Sequence, residues 1–229
     1  MAKQDVLYLE LLEALQGEGC AVCRLARRAS ASYLRGLIYE GITDVKLREA
    51  LRDARGFCYQ HGWRVANQRG SVLGTAIIYQ DVINTLVRAL DSAGDAPSRL
   101  FGRGRGAWPR DLAASAECPA CVLESDGARR AATLLLKHLD DEAIAQAYAR
   151  AGGLCLPHLQ LTLSHASPSA ARTLAGWQSA AWARLRGELD ELIRKHDYQF
   201  TSEPVLPGEA DAWRRAVAAV VGEPEPEKL

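Results

Sequence analysis

The sequence predicts an all-α fold, arranged as a tandem, pseudo-duplicated helical bundle. Alanine, leucine and arginine are abundant and favour helices, whereas the alternation of apolar and polar residues that is typical of strands is scarce. Apolar residues recur instead at the three- and four-residue spacing of helices. One pattern of cysteine and histidine residues also occurs twice at a nearly constant offset, which predicts two similar halves.

The first copy of the pattern is predicted to form four helices. Gly17 and Gly56 are expected to end the first and the third, because glycine accepts the backbone conformation that terminates a helix. Thr43 is a favourable N-cap for the third helix. Trp63 and Leu73 belong to the predicted apolar face of the fourth. These helices are expected over residues 4–16, 21–39 and 44–54, and from the CxxH pair to about residue 90.

The second copy is predicted to repeat this order of elements. Asp140 is expected to cap the short helix, and Gly152 to close it. Ser167 and Pro168 predict the start of a long helix, because serine is a favourable N-cap and proline suits the first helical position. The helices are expected over residues 122–136, 141–150 and 168–198.

A last amphipathic helix is expected over residues 210–221. Trp213, Val217 and Val220 are predicted to face inward, because they share one side of that helix. The acidic, proline-broken tail that follows, residues 223–227, is predicted to be disordered.

The two half-repeats are predicted to be joined by a flexible linker. Residues 102–106 alternate glycine and arginine, and no periodic apolar segment surrounds them. Contact with RNA is the alternative, but no basic surface interleaved with aromatic residues accompanies this segment. The predicted boundaries are 1–92 for the first half-repeat, 93–116 for the linker, 117–200 for the second half-repeat, and 201–229 for the C-terminal helix and tail.

Each half-repeat contains a CxxC pair followed by a CxxH pair. The CxxC pairs lie 98 residues apart and the CxxH pairs 97 apart, and together they use all six cysteines. Such spacing is typical of metal ligands, and two pairs complete a tetrahedron. We therefore predict two metal-clasped halves. The predicted ligands are Cys20, Cys23, Cys58 and His61 in the first copy, and Cys118, Cys121, Cys155 and His158 in the second.

We expect each copy to complete its own centre, because a helical hairpin of about 34 residues can return the chain to its start. The first centre would then combine Cys20 and Cys23 with Cys58 and His61. The second would contain the other four ligands. In the alternative, an exchanged pairing, the CxxC pair of one copy joins the CxxH pair of the other.

The ligand types favour two zinc ions over other metals. Thiolates suit zinc or an iron–sulfur cluster and disfavour magnesium or calcium. Iron–sulfur clusters are the alternative, because histidine replaces cysteine in some of them. A thiol–disulfide oxidoreductase is less favoured, since no βαβ pattern surrounds either CxxC pair. Four protein ligands leave no open position for a hydrolytic water, so we predict no catalytic residues.

Arginines near the CxxC pairs are candidates to neutralise the anionic centres. Their alternative is a solvated helix face, which is the more common role for any single arginine. The candidates are Arg24, Arg27, Arg28, Arg129 and Arg130.

The motifs resemble those of an uncharacterised prokaryotic family that is catalogued as a domain of unknown function. The resemblance rests on Cys118-Pro-Ala-Cys121 and on the glycine-led CxxH segments that begin at Gly56 and Gly153. The segments 195–200 and 212–216 resemble the C-terminal end of that family. This resemblance supports the ligand prediction and implies no activity.

The remaining expectations concern the partner and the compartment. Basic and acidic residues balance at 28 each, so charge provides no general attraction to nucleic acid or to an anionic membrane. The first twelve residues lack the apolar core of a signal peptide, and reduced thiols suit the cytoplasm. We expect a non-catalytic cytoplasmic scaffold that binds a protein partner.

Overall fold

A computed structural model of the chain describes residues 2–37, 44–94, 112–200 and 202–224. These residues form eleven helices and no strand, which confirms the predicted all-α class. Within the same ranges, no helix is both long and apolar enough to cross a membrane. The helices are α1 (Ala2–Gln16), α2 (Ala21–Gly36), α3 (Val45–Asp53), α4 (Tyr59–Ala66), α5 (Val72–Gly94), α6 (Pro119–Lys137), α7 (Glu142–Ala151), α8 (Leu156–Ser164), α9 (Pro168–Lys195), α10 (Pro207–Ala210) and α11 (Ala212–Val221).

The chain divides into two compact units. Unit 1 comprises Met1–Arg27 and Asp126–Leu229, and unit 2 comprises Arg28–Ser125. Unit 1 therefore combines the start of the chain with its C-terminal part, whereas the predicted half-repeats divide the chain near residues 92 and 117.

The core of unit 1 forms where α1 packs against α7, and where α9 packs against α7, α10 and α11. Leu11, Leu15, Tyr148 and Leu174 are completely or almost completely buried there. Their burial removes apolar surface from water, which is the main favourable contribution to folding.

The core of unit 2 lies around α3, α4 and α5. Leu34, Leu51 and Ile78 are buried in it. Asp81 accepts hydrogen bonds from Arg48 at 3.2 Å and from Arg52 at 2.7 Å, which links α5 to α3.

Local capping explains where several helices begin. Asp141 caps α7 by accepting from the backbone N–H of Ala143 at 2.8 Å, so the predicted cap Asp140 was one residue too early. Asp44 caps α3 in the same way. Thr43, which we predicted as that cap, lies outside the described residues. Ser167 caps α9 as predicted.

The long helix predicted after the first CxxH pair is interrupted. The chain leaves helical geometry after α4 and resumes it in α5, and Gly70 between them adopts a φ of +74°, in the left-handed region. The hydroxyl of Ser71 donates to the carbonyl of Ala66 at 3.1 Å and closes the turn. Trp63 and Leu73, which lie on either side of this break and were predicted to face inward, are 59% and 71% exposed.

The orientation predicted for the last helix was wrong. Trp213, Val217 and Val220 are each more than half exposed, whereas Ala212 is completely buried. The inner face of α11 is thus formed by small side chains, which allow close packing of helices. The predicted linker segment, residues 102–106, lies outside the described residues.

Candidate metal centres

The eight predicted ligands form two clusters. Within each cluster, one ligand atom from every residue lies within 4.8 Å of all the others. Each cluster belongs to a single compact unit. Centre A consists of Cys20, Cys23, Cys155 and His158 in unit 1, and centre B of Cys58, His61, Cys118 and Cys121 in unit 2.

This grouping corrects the predicted pairing. We expected each copy to complete its own centre, but the CxxC pair of each copy meets the CxxH pair of the other. Packing between distant segments is the cause. The backbone N–H of Gly19 donates to the carbonyl of Ala151 at 2.6 Å, beside centre A. The N–H of Ser115 donates to the carbonyl of Asp53 at 2.9 Å, which draws the segment before Cys118 towards centre B.

Helix starts position most of the ligands. Cys58 is the N-cap of α4 and Cys155 the N-cap of α8, so each histidine three residues later lies in the first helical turn. Cys20 and Cys118 immediately precede α2 and α6. The free N–H groups and the dipole at a helix start favour a thiolate over a thiol.

A buried glutamine fixes the turn before Cys155. Gln178 accepts from the N–H of Leu154 at 2.9 Å, donates to its carbonyl at 3.1 Å, and also accepts from the hydroxyl of Tyr148. A side chain at Gly153 would lie 2.7 Å from Gln178 Nε2. Gly153 and Gln178 together therefore fix the backbone conformation that places Cys155 in centre A.

The donor atoms of centre A are closely spaced and shielded. The Nδ1 atom of His158 lies 3.2 Å from the sulfurs of Cys23 and Cys155 and 3.5 Å from that of Cys20. The sulfurs of Cys23 and Cys155 are 3.7 Å apart. All three cysteines are buried.

A C-terminal strap, residues 222–224, covers centre A. Glu223 accepts from the N–H of Cys20 at 2.9 Å, and Arg27 donates to the carbonyls of Glu223 and Pro224 at 2.8 and 2.7 Å. A side chain at Gly222 would lie 3.8 Å from the sulfur of Cys23. The prediction that this tail is disordered was therefore wrong for Glu223 and Pro224. Residues 225–227 lie outside the described residues.

A pocket of about 390 Å³ borders centre A within unit 1. Cys20 and Cys155 form part of its wall, together with Glu223 and Pro224 of the strap. The strap and two ligands of centre A thus line the same pocket.

The donor atoms of centre B are spaced like those of centre A, but two of its cysteines are less buried. The Nδ1 atom of His61 lies 3.2 Å from the sulfur of Cys58, 3.3 Å from that of Cys121 and 3.7 Å from that of Cys118. The sulfurs of Cys121 and Cys58 are 3.5 Å apart. Cys58 and Cys121 are partly exposed, whereas His61 is 1% exposed.

A carboxylate completes the surroundings of His61. Its second ring nitrogen, Nε2, lies 3.0 Å from Oε2 of Glu124 on α6. The sequence prediction did not include Glu124. The signal for it was its position three residues after Cys121, on the same face of α6.

The clusters carry charge even without metal. Hydrogen bonds with Cys118 and Glu124 raise the pKa of His61 to about 10. Burial opposes ionisation of Cys118, but hydrogen bonds from His61 and the backbone lower its pKa to about 6. Burial also lowers the pKa of His158, but bonds with Cys155 and Cys23 outweigh this effect and raise it to about 9. Hydrogen bonds with Cys155 and Cys20 lower the pKa of Cys23, whereas the bond with Cys155 raises that of Cys20 and burial raises that of Cys121. Each centre therefore favours a thiolate at one of its CxxC cysteines, and the thiolate is the form that binds metal.

The candidate arginines near centre A bind backbone carbonyls. Arg24 donates to the carbonyls of Ala14 and Gly17, both at 2.9 Å, and so supports the end of α1. Arg27 holds the strap. On α6, Arg129 contacts Asp126, one turn before it. The proposed neutralising contacts to the ligands themselves stay a prediction.

Comparison with known proteins places the chain in a family. The model of a family of unknown function, DUF6062, matches residues 2–227. The chain belongs to this family. It is also similar to an uncharacterized 23.9 kDa protein in the xynA 3′ region of Caldicellulosiruptor sp. (strain Rt8B.4), with 26% identity over 216 residues, covering 93% of this chain and 99% of that protein. No solved structure matches. The resemblance noted from the motifs is thus confirmed.

Proposed function

We propose that centres A and B each bind one zinc ion, and that the two ions clasp a non-catalytic helical scaffold. The observation that carries this proposal is the spacing of the donor atoms. In each centre, the three sulfur–Nδ1 distances and one sulfur–sulfur distance run from 3.2 to 3.7 Å, and all four donor atoms lie within 4.8 Å of one another.

These separations match the requirements of a single tetrahedral ion. Zinc binds sulfur at about 2.3 Å and nitrogen at about 2.0–2.1 Å. At tetrahedral angles, two sulfurs then lie roughly 3.8 Å apart, and a sulfur and a nitrogen roughly 3.5 Å apart. The four distances given for each centre differ from these values by only a few tenths of an ångström.

The same spacing disfavours an iron–sulfur cluster. A cluster distributes its ligands over two or more irons with sulfide between them, so donors on different irons stand further apart than donors on one ion. The 4.8 Å limit within each centre leaves little room for such a core. One ion per centre is therefore the better fit.

A structural role follows from the ligand set and from the chain distances. Three cysteines and one histidine form a closed set, with no position left for a reactive water. In centre A, Cys23 and Cys155 are 132 residues apart, and in centre B, Cys58 and Cys121 are 63 apart. An ion that joins such distant residues restricts the unfolded chain strongly, and its binding energy becomes folding energy.

The proposed scaffold would present unit 2 to a protein partner. On α4, Tyr59 and Trp63 lie four residues apart on one face of the helix and are 83% and 59% exposed. Large apolar side chains grouped at a surface are typical of sites that bind other proteins. This grouping supports the partner-binding part of the proposal.

Metal analysis of protein purified without oxygen tests the proposed function. We expect a colourless protein with two zinc ions per chain. A brown protein that contains iron and sulfide would overturn the zinc proposal and favour electron transfer or redox sensing. A metal-free protein that cycles reversibly between thiols and disulfides would instead indicate an oxidoreductase.

A further inference from the structure

Centres A and B differ in what supports their histidine. His61 directs Nδ1 towards the three sulfurs of centre B, and its Nε2 lies 3.0 Å from Oε2 of Glu124. The ring is 1% exposed, whereas the side chain of Glu124 is 29% exposed. The partly exposed carboxylate of Glu124 thus contacts a nitrogen of a buried ring.

A metal-bound histidine must be neutral, and one nitrogen must offer its lone pair to the ion. If Nδ1 binds the metal, the remaining proton resides on Nε2. A carboxylate at hydrogen-bond distance accepts that proton, fixes the rotation of the ring and makes the coordinating nitrogen more basic.

The sequence provides this carboxylate only beside the second CxxC pair. Cys118, Cys121 and Glu124 are spaced three residues apart, so α6 presents both thiolates and the carboxylate to the same centre. In α2, the corresponding position after Cys23 is Ala26. Its buried methyl group accepts no hydrogen bond.

We infer that Glu124 is a positioning residue for centre B: it holds His61 as the tautomer that binds metal through Nδ1. This inference rests on the proposed function and goes beyond it. It makes the two centres unequal, because the affinity of centre B depends on a carboxylate whose equivalent in α2 is an alanine.

Two substitutions separate the hydrogen bond from the charge. Glu124→Leu removes the acceptor while keeping a similar volume, and Glu124→Gln keeps an oxygen acceptor without charge. Loss of such an outer-sphere partner typically weakens metal binding by about 10- to 100-fold. We expect Glu124→Leu to show this loss at centre B, and Glu124→Gln to show a smaller one.

The experiment is competition between the full chain and a chelator for cadmium, followed by cadmium NMR so that each centre gives its own signal. Asp126→Asn, two residues further along α6, is the matched control and should leave both affinities unchanged. Centre A serves as an internal control for unit 1, and slow amide hydrogen exchange in α4 and α5 shows that unit 2 of the variant chain is folded. In the cadmium-loaded chain, nitrogen shifts of the His61 ring should report metal at Nδ1 and a proton on Nε2, and this proton should exchange with solvent faster in Glu124→Leu, which lacks its acceptor.

Two results would overturn the inference, and they are distinguishable. If the parent binds two ions and Glu124→Leu binds cadmium at centre B as tightly, Glu124 does not position His61 and the proposed function stands. If the parent binds no metal at either centre, both the inference and the proposed function fail.

Discussion

The carboxylate of Glu223 occupies the space that a side chain at Gly19 would need. A Cβ atom at Gly19 would overlap Oε1 of Glu223, and Gly19 has a φ of +87°, which favours glycine. The same oxygen accepts from the N–H of Cys20. The strap is therefore fitted to centre A at a specific position, next to the first ligand of the chain.

Removal of the strap should accelerate loss of metal from centre A. A chain that ends at Val221 lacks the bond from Cys20 N–H to Glu223, and a hydrogen bond to a charged group contributes about 1.5–3 kcal/mol. We expect chelators to extract the centre A ion roughly ten times faster or more, with the centre B rate unchanged. A chain that ends at Pro224 keeps the strap and is the matched control. Equal rates for the two truncated chains would contradict this role.

The Cys58→Ser variant should empty centre B and loosen unit 2. Metal binding and folding are coupled, so loss of one thiolate is expected to reduce the metal content from two ions to one. Amide hydrogen exchange should then rise in α4 and α5 and stay low in α1 and α7. Cys155→Ser is the counterpart for unit 1. Equal loss from both centres would show that they do not act independently.

The Gln178→Ala variant should destabilise unit 1. It leaves the N–H and carbonyl of Leu154 and the hydroxyl of Tyr148 buried without their partner, at a cost of about 1–3 kcal/mol for an unsatisfied group. We expect the free energy of unfolding to fall by about 2–4 kcal/mol. Gln146→Ala, which removes an exposed bond to Glu142, should change it by less than about 0.5 kcal/mol. Chemical denaturation with metal in excess measures both.

The ion pair between Lys195 and Glu209 should make stability sensitive to acid. Its Nζ lies 2.7 Å from the carboxylate, and this hydrogen bond lowers the pKa of Glu209 below its ordinary value. A lowered pKa stabilises the folded chain above the ordinary carboxyl value, and this contribution is lost as the pH falls through the folded value.

Comparison with Glu209→Gln isolates this effect. The parent should unfold at a higher temperature than the variant at neutral pH, and the difference should shrink below about pH 4.5. A difference that stays constant down to pH 3 would show that the charge of Glu209 contributes nothing.

Local patterns in the sequence predicted the helical class and some of the helix starts correctly. The all-α class followed from composition and apolar spacing, and Ser167 was correctly identified as a cap. CxxC and CxxH each place their two ligands at one helix start, and the four pairs meet in two clusters. That these clusters bind metal stays a prediction.

The pairing could not be predicted, because it depends on packing between distant helices. The spacing of Cys20 and Cys23 fixes how these two ligands lie relative to each other. It does not determine which of the two CxxH pairs joins them. The choice follows from the contact of α1 with α7, where Tyr8 donates to Asp141 at 2.9 Å across 133 residues. The contact of Glu223 with the N–H of Cys20 was not predicted for a related reason. The composition of an acidic tail does not show which of its carboxylates packs against the rest of the chain.

The most direct test of the exchanged pairing is a correlation spectrum between bound cadmium and the protons of its ligands. One cadmium signal should couple to the β protons of Cys20, Cys23 and Cys155, and the other to those of Cys58, Cys118 and Cys121. A cadmium signal that couples to both Cys20 and Cys58 would contradict the account.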